Sequence, residues 1–180
     1  MKMINARSFF AILLTLILSS SASFVLAKER GSSNSLSEAD QEFIKKAGQG
    51  GNTEVELGRL AAQKAQDPQV KNFAQHIVRD HSQANQKLSA LAKKKGVSVP
   101  ASLSEEGTQL KNTLSALTGA EFDKKYMSTM VDDHQKDIDE FQAESAQGQD
   151  SDIKNFASQA LPTLKRHLDM AQSIAKTDKP

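Results

Sequence analysis

Residues 67–96 read DPQVKNFAQHIVRDHSQANQKLSALAKKKG, and this stretch decides the fold. Asp67-Pro68 is a helix start: the carboxylate can accept from the first free N–H groups, and proline suits the first helical position, where an N–H would have no partner. Val70, Phe73, Ile77, Ala84, Leu88 and Leu91 then recur at three- and four-residue steps, the spacing of one apolar helix face. The stop is equally explicit. Three lysines at 93–95 complement the carbonyl end of the helix dipole, and Gly96 can take the left-handed conformation that closes a helix. At 1.5 Å per residue such a helix is about 40 Å long. One apolar face on so long a helix needs other long helices to cover it.

The flanking sequence supplies them. A helix is expected over Ser37–Gln66, with Ser37 and Asp40 as a capping box and Phe43, Ala47, Gly50, Glu54, Leu57 and Ala61 on its face. Gly48, Gly50 and Gly51 weaken its middle, each by up to about 1 kcal/mol relative to Ala, and mark either a kink or a break at which Asn52 caps a second segment. After a loop at Val97–Ser102, a short helix is expected over Leu103–Leu117. Thr118-Gly119-Ala120-Glu121 reads as a capping box for a helix over Gly119–Gln147, with Phe122, Tyr126, Met130, His134, Ile138 and Phe141 on its face. A last helix over Ser151–Lys176 carries Ile153, Ala157, Ala160, Leu164, His167, Ala171 and Ile174, with a kink expected at Pro162. No stretch alternates long enough for a strand. The expected fold is all-α: a four-helix bundle over residues 36–177 with a short extra helix between the second and third long helices, running along the bundle or capping one end.

Three of the four histidines, His81, His134 and His167, lie on core-facing positions of different helices, and Glu54 interrupts the apolar face of the first. His76 is about 140° away from His81 and reads as a surface residue. Height agrees as well as direction. Glu54 and His81 lie about 20 Å from the turn joining their helices, and His134 about 22 Å from its own; His167 is about 27 Å along, one turn further. One polar layer near mid-bundle is therefore expected. Imidazole and carboxylate are ligands for a divalent metal such as Zn, Fe or Cu, and bundle interiors are common places to build such sites. On that reading Glu54, His81, His134 and His167 are the metal ligands. Asp80 and Asp137, with Asp133 and Asp169, neighbour the histidines and can orient their second nitrogens. Tyr126, the only tyrosine, sits two turns before His134 and can hydrogen-bond to the layer. Two alternatives stand beside the metal site. Buried His and Glu can satisfy one another without metal and set helix register, or the alignment can be accidental.

Composition bounds the rest. The chain has 180 residues, 23 Lys+Arg against 22 Asp+Glu, and no Cys. Disulfides, thiolate metal sites and cysteine nucleophiles are excluded, and there is no basic field for nucleic acid. No phosphate-binding glycine loop or nucleophile motif is present, so nothing catalytic is expected from the motifs. The N-terminus reads as an export signal. Lys2 and Arg7 precede the apolar run Phe9–Leu18, broken only by Thr15, and Val25-Leu26-Ala27 offers small or compact residues before a cleavage point at residue 27. Residues 28–35 read as a flexible leader. The expected product is exported, periplasmic or envelope-associated, with no membrane-spanning segment after cleavage and no partner that the sequence names.

The ordered set Glu54-Val55-Glu56-Leu57-Gly58-Arg59-Leu60-Ala61, Phe73-Ala74, Asp80-His81, Phe122-Asp123-Lys124-Lys125-Tyr126, His134, Phe141, Leu161-Pro162 and His167-Leu168 resembles the domain-of-unknown-function 4142 family over about residues 43–175. The resemblance implies a ferritin-like bundle in the bacterial envelope and no established reaction. Ferritin-like di-iron enzymes carry a Glu-x-x-His pair on two helices. Here the residues three before His81, His134 and His167 are Val78, Val131 and Leu164, which argues against a di-iron oxidase. A metal-binding module and a metal-free structural or stress-related envelope protein both remain open on the sequence.

Overall fold

The computed structural model describes residues 36–177; the expected signal sequence at 1–27 and leader at 28–35 lie outside the described residues. Five helices follow in order: α1 Glu38–Lys64, α2 Pro68–Lys94, α3 Glu105–Ala116, α4 Gly119–Gln147 and α5 Ser151–Thr177. The ends fall where local chemistry placed them. Ser37 accepts from the Asp40 N–H, Asp67 from the Gln69 N–H and Ser104 from the Gly107 N–H. Gly96 takes φ +73° just past α2. Thr118 differs from the expected capping box: its side chain makes no capping bond, and Gly119, at φ +59°, turns the chain into α4 instead.

The helix order can be traced from contacts at the ends. Asp123, near the start of α4, accepts from the Gln66 and Asp67 N–H groups, so α4 begins where α1 ends. Asp40 accepts from the Gln149 and Asp150 N–H groups, so the α4–α5 turn sits at the start of α1. Lys95, one of the three lysines at the carbonyl end of α2, is also ion-paired to Asp150 at 2.6 Å and Asp152 at 2.8 Å, joining the end of α2 to the start of α5. Helices α1 and α5 therefore run one way and α2 and α4 the other. The connection between α2 and α4 must travel the bundle's length, and α3 provides it. Gly107 lies against Thr53, and Lys111 pairs with Glu56 at 2.7 Å, so α3 ascends along α1. The crossover arrangement holds, and the end-cap alternative falls.

Helix α1 is continuous through its glycines, because two of them admit neighbours. A Cβ on Gly48 would strike Val99, and one on Gly51 would strike the Asn85 side chain, which bonds Asn52 at 3.1 Å. Gly50 faces open space. The two positions should answer the same substitution differently. Gly50→Ala should raise stability by up to about 1 kcal/mol through helix propensity. Gly51→Ala carries the same propensity gain, but displacing Asn85 breaks a part-buried hydrogen bond worth about 1 kcal/mol, so stability should change little. Chemical denaturation of the two variants checks the difference.

The core is divided. One apolar cluster holds Leu57, Val70, Phe73, Ile77, Met130 and Ala171, and the other holds Phe43, Leu88, Ile138, Phe141, Ile153 and Leu164. On α1, α2 and α4 the junction between the clusters falls at Glu54, His81 and His134, and on α5 it falls just past His167, after Leu168. Among the described residues, no helix is long and apolar enough to cross a membrane.

Candidate metal centre

Each long helix delivers one side chain to this junction, and all four are buried: His134 and His167 fully, Glu54 to 3% exposure and His81 to 6%. The rings of His81, His134 and His167 lie 5.3–5.4 Å apart, centre to centre. One nitrogen from each lies within 4.8 Å of the others. The one-turn excess in the height of His167 disappears for a stereochemical reason. A helical Cα–Cβ bond leans toward the helix N-terminus. The N-terminus of α5 is at the α4–α5 turn and that of α4 is at the far end, so His167 leans toward the turn and His134 away from it. The two imidazoles meet.

The partner of each ring's other nitrogen determines where its lone pair points. His134 Nδ1 lies 2.9 Å from the Met130 carbonyl, which can only accept, so Nδ1 carries the proton and Nε2 is left with a lone pair. His167 Nε2 lies 3.0 Å from Asp80, which leaves Nδ1 as the lone-pair nitrogen. His81 Nδ1 lies 2.7 Å from Glu54, and its Nε2 is buried with no hydrogen-bond partner. His134 Nε2 and His167 Nδ1, both without a proton in this arrangement, face each other at 3.3 Å. Two acceptors do not attract each other at that distance. Two nitrogens bound to one tetrahedral metal at 2.0–2.1 Å stand about 3.3–3.4 Å apart. The donor set thus fits a metal ion: three imidazoles, each held by an acceptor on its far side.

Electrostatics favour the neutral form at two of the three rings. Burial pushes the His167 imidazole down to about 4, against the opposing pull of its Asp80 hydrogen bond. Burial also holds His134 below the ordinary imidazole value, partly offset by Glu54. At His81 burial acts the same way, but the charge and hydrogen bond of Glu54 outweigh it and raise the value. Burial disfavours the Glu54 carboxylate, yet the surrounding imidazoles, His81 foremost, keep it below the usual range.

The expected helpers are sorted by the tertiary structure. Asp80 orients a histidine, but the ring is His167 on α5, not a neighbour on its own helix. Arg79 and Arg166, at 3.0 and 3.2 Å, hold Asp80 in turn. Asp137 makes no hydrogen bond to these rings; it lines a cavity beside Glu54. Asp133 is pushed to about 6 by burial and by the Glu54 charge. Asp169 is exposed, and His76 bonds Arg79 away from the layer. Tyr126 does not hydrogen-bond to the layer as expected: its hydroxyl is buried without a partner, and burial raises its pKa. The Met130 carbonyl, like Arg79 and Arg166, is not singled out by the sequence. Its signal was present, since residue 130 lies one turn before His134.

An all-α bundle with a buried cluster of convergent imidazoles is thus defined by fold and site together. The chain belongs to the family described as Domain of unknown function (DUF4142), whose pattern matches residues 25–174. Solved structures of low identity share the fold. A DUF305 fragment from Deinococcus radiodurans is 13% identical, with a TM-score of 0.70 over 79% of this chain and 99% of that one. CopM in its Cu(II)-bound form is 16% identical, with a TM-score of 0.66 over 77% of this chain and 96% of that one. CopM in its Cu(I)-bound form gives 16% and 0.65 over the same shares. No curated protein matches the chain.

Proposed function

We propose that this protein is an exported metal-binding module in which His81, His134 and His167 ligate one ion at mid-bundle. The observation that carries this reading is the 3.3 Å approach of two imidazole nitrogens whose protons are committed elsewhere. Glu54 and Asp80 then serve as the carboxylates that fix the His81 and His167 rings, and Glu54 is an orienting group in place of a fourth ligand. Three nitrogen ligands leave a coordination position for water or an exchangeable donor. The fold is shared with a protein crystallised in Cu(II)-, Cu(I)- and Ag-bound forms, which makes copper the first ion to try and zinc the natural comparison. Export rests on the basic, apolar and small-residue segments of residues 1–27.

Elemental analysis of the protein from its native compartment, followed by titration of chelator-stripped protein with Cu(II) and Zn(II), tests the reading. One equivalent per chain is expected, lost on replacing the three histidines by Gln. No stoichiometric uptake of either ion would leave a metal-free polar layer that sets helix register, a role that the 2.7 Å Glu54–His81 pair also suits.

A further inference from the structure

A cavity of about 240 Å³ lies between α2 and α5 and reaches inward to Glu54 and His81. Small residues make room for it: Ala84 on α2, Ala160 on α5 and Gly51 on α1 line its walls. The exposed Gln83 and Gln159 stand at its outer part, and Asp137 and Glu54 at its inner part. The second oxygen of Glu54, in a side chain only 3% exposed, is buried and makes no hydrogen bond: His134 Nδ1, 3.4 Å away, gives its proton to the Met130 carbonyl. A buried carboxylate oxygen without a donor is costly and calls for a cation or a donor group. Asp137 faces the same charge: burial and Glu54 together push its carboxyl well above the ordinary range, against the weaker opposing pull of Lys136.

We infer that this cavity is the path by which the metal reaches the histidines, with Asp137 and the free oxygen of Glu54 as its inner docking point for a hydrated divalent cation. The inference rests on the metal-binding reading and adds to it a route and a second, transient site. The chemistry is that of oxygen ligands handing an ion to nitrogen ligands. Carboxylates accept an ion that still carries water, and imidazoles then take it in a site with less water. Two cationic side chains line the cavity, Lys87 and Arg166; both are exposed, and Arg166 is engaged by Asp80.

The chain carries its own reporter. Tyr126 is the only tyrosine and there is no tryptophan, so protein emission comes from a single ring. That ring touches Phe73 at 6.2 Å, and Phe73 touches His167 at 6.4 Å. Cu(II) bound at the histidines should quench it. Stopped-flow mixing of metal-free protein with glycine-buffered Cu(II) then reads the loading rate, and the final quench with elemental analysis reads the stoichiometry. Ala84→Phe and Ala160→Phe plug the cavity from opposite helices. Each should slow loading by about one to two decades, the range over which on-rates move within one site, without changing the end point. Asp137→Asn should slow loading by a smaller factor. Where a phenylalanine lowers the thermal midpoint of the metal-free protein, Ala84→Leu supplies a smaller plug. Wild-type loading rates in both plugged variants, with one equivalent bound, would overturn the route and leave the metal site standing. No uptake by the wild-type chain would overturn both, so the two failures are distinguishable.

Discussion

His134→Gln will abolish the metal-dependent stabilisation of this bundle while leaving it folded. His134 is fully buried, it donates to the Met130 carbonyl, and its other nitrogen meets His167 at 3.3 Å. Glutamine keeps an N–H for the carbonyl and removes the ring nitrogen that would bind metal. An ion that binds only the folded state stabilises it by RT ln(1 + [L]/Kd), about 4 kcal/mol at a free concentration a thousand times Kd. For a chain of this size that is a rise of about 10 °C in Tm. Differential scanning calorimetry of stripped and Cu(II)-loaded protein should show the rise in the wild type and in His76→Gln, and none in His81→Gln, His134→Gln or His167→Gln. Glu54→Gln should keep the stoichiometry and weaken affinity by about 10–100-fold, as expected when a group that orients a ligand is altered. A full metal-induced rise in His134→Gln would remove this histidine from the site.

The metal-free protein should also lose stability in acid through His167. Its folded value, about 4, lies below the ordinary imidazole value of 6.5. The unfolded chain therefore binds a proton at a higher pH than the folded one. The neutral ring costs nothing above pH 6.5, and the folded state loses ground as pH falls from there toward 4. The integrated loss is on the order of 3 kcal/mol. Other groups move stability over neighbouring ranges. His81, raised by Glu54, adds stability that is complete below pH 6.5 and fades as pH rises through its folded value. Glu54, lowered by the imidazoles, adds stability that is lost as pH falls below 4.5. Glu144, pushed to about 7 by burial and Asp40, costs stability at high pH, and the cost is relieved as pH falls. The difference between wild type and His167→Gln isolates the one ring. Urea denaturation of both at pH 7 and pH 4 should show that difference shift against the wild type by on the order of 3 kcal/mol. A difference that does not move with pH would show that His167 is protonated as easily in the fold as in water.

Much of the architecture was legible because helix ends and faces are local properties. Asp67-Pro68 and Lys93–Gly96 bracket α2 through groups that act on their own turn of backbone. Spacing placed His81, His134 and His167 on core faces at matching heights, and the structure brings those three together. The glycines of α1 were ambiguous for the opposite reason. Whether Gly48 and Gly51 break a helix or admit a neighbour depends on Val99 and Asn85, which lie 51 and 34 positions further along the chain. The Thr118 cap also failed: the residue type suits the position, but Gly119 set the local conformation.

The sequence by itself determined the all-α class, the four long amphipathic helices, and one polar residue on each at mid-height, because period and distance along a helix follow from counting residues. The tertiary structure alone decided the crossover path of α3, the pairing of Asp80 with His167 across helices, the attachment of Glu54 to His81, and the cavity beside them. Counting fixes the face from which a side chain leaves its helix. The nitrogen that keeps its lone pair depends on which acceptor a different helix places behind the ring, and that partner exists only once the helices are packed.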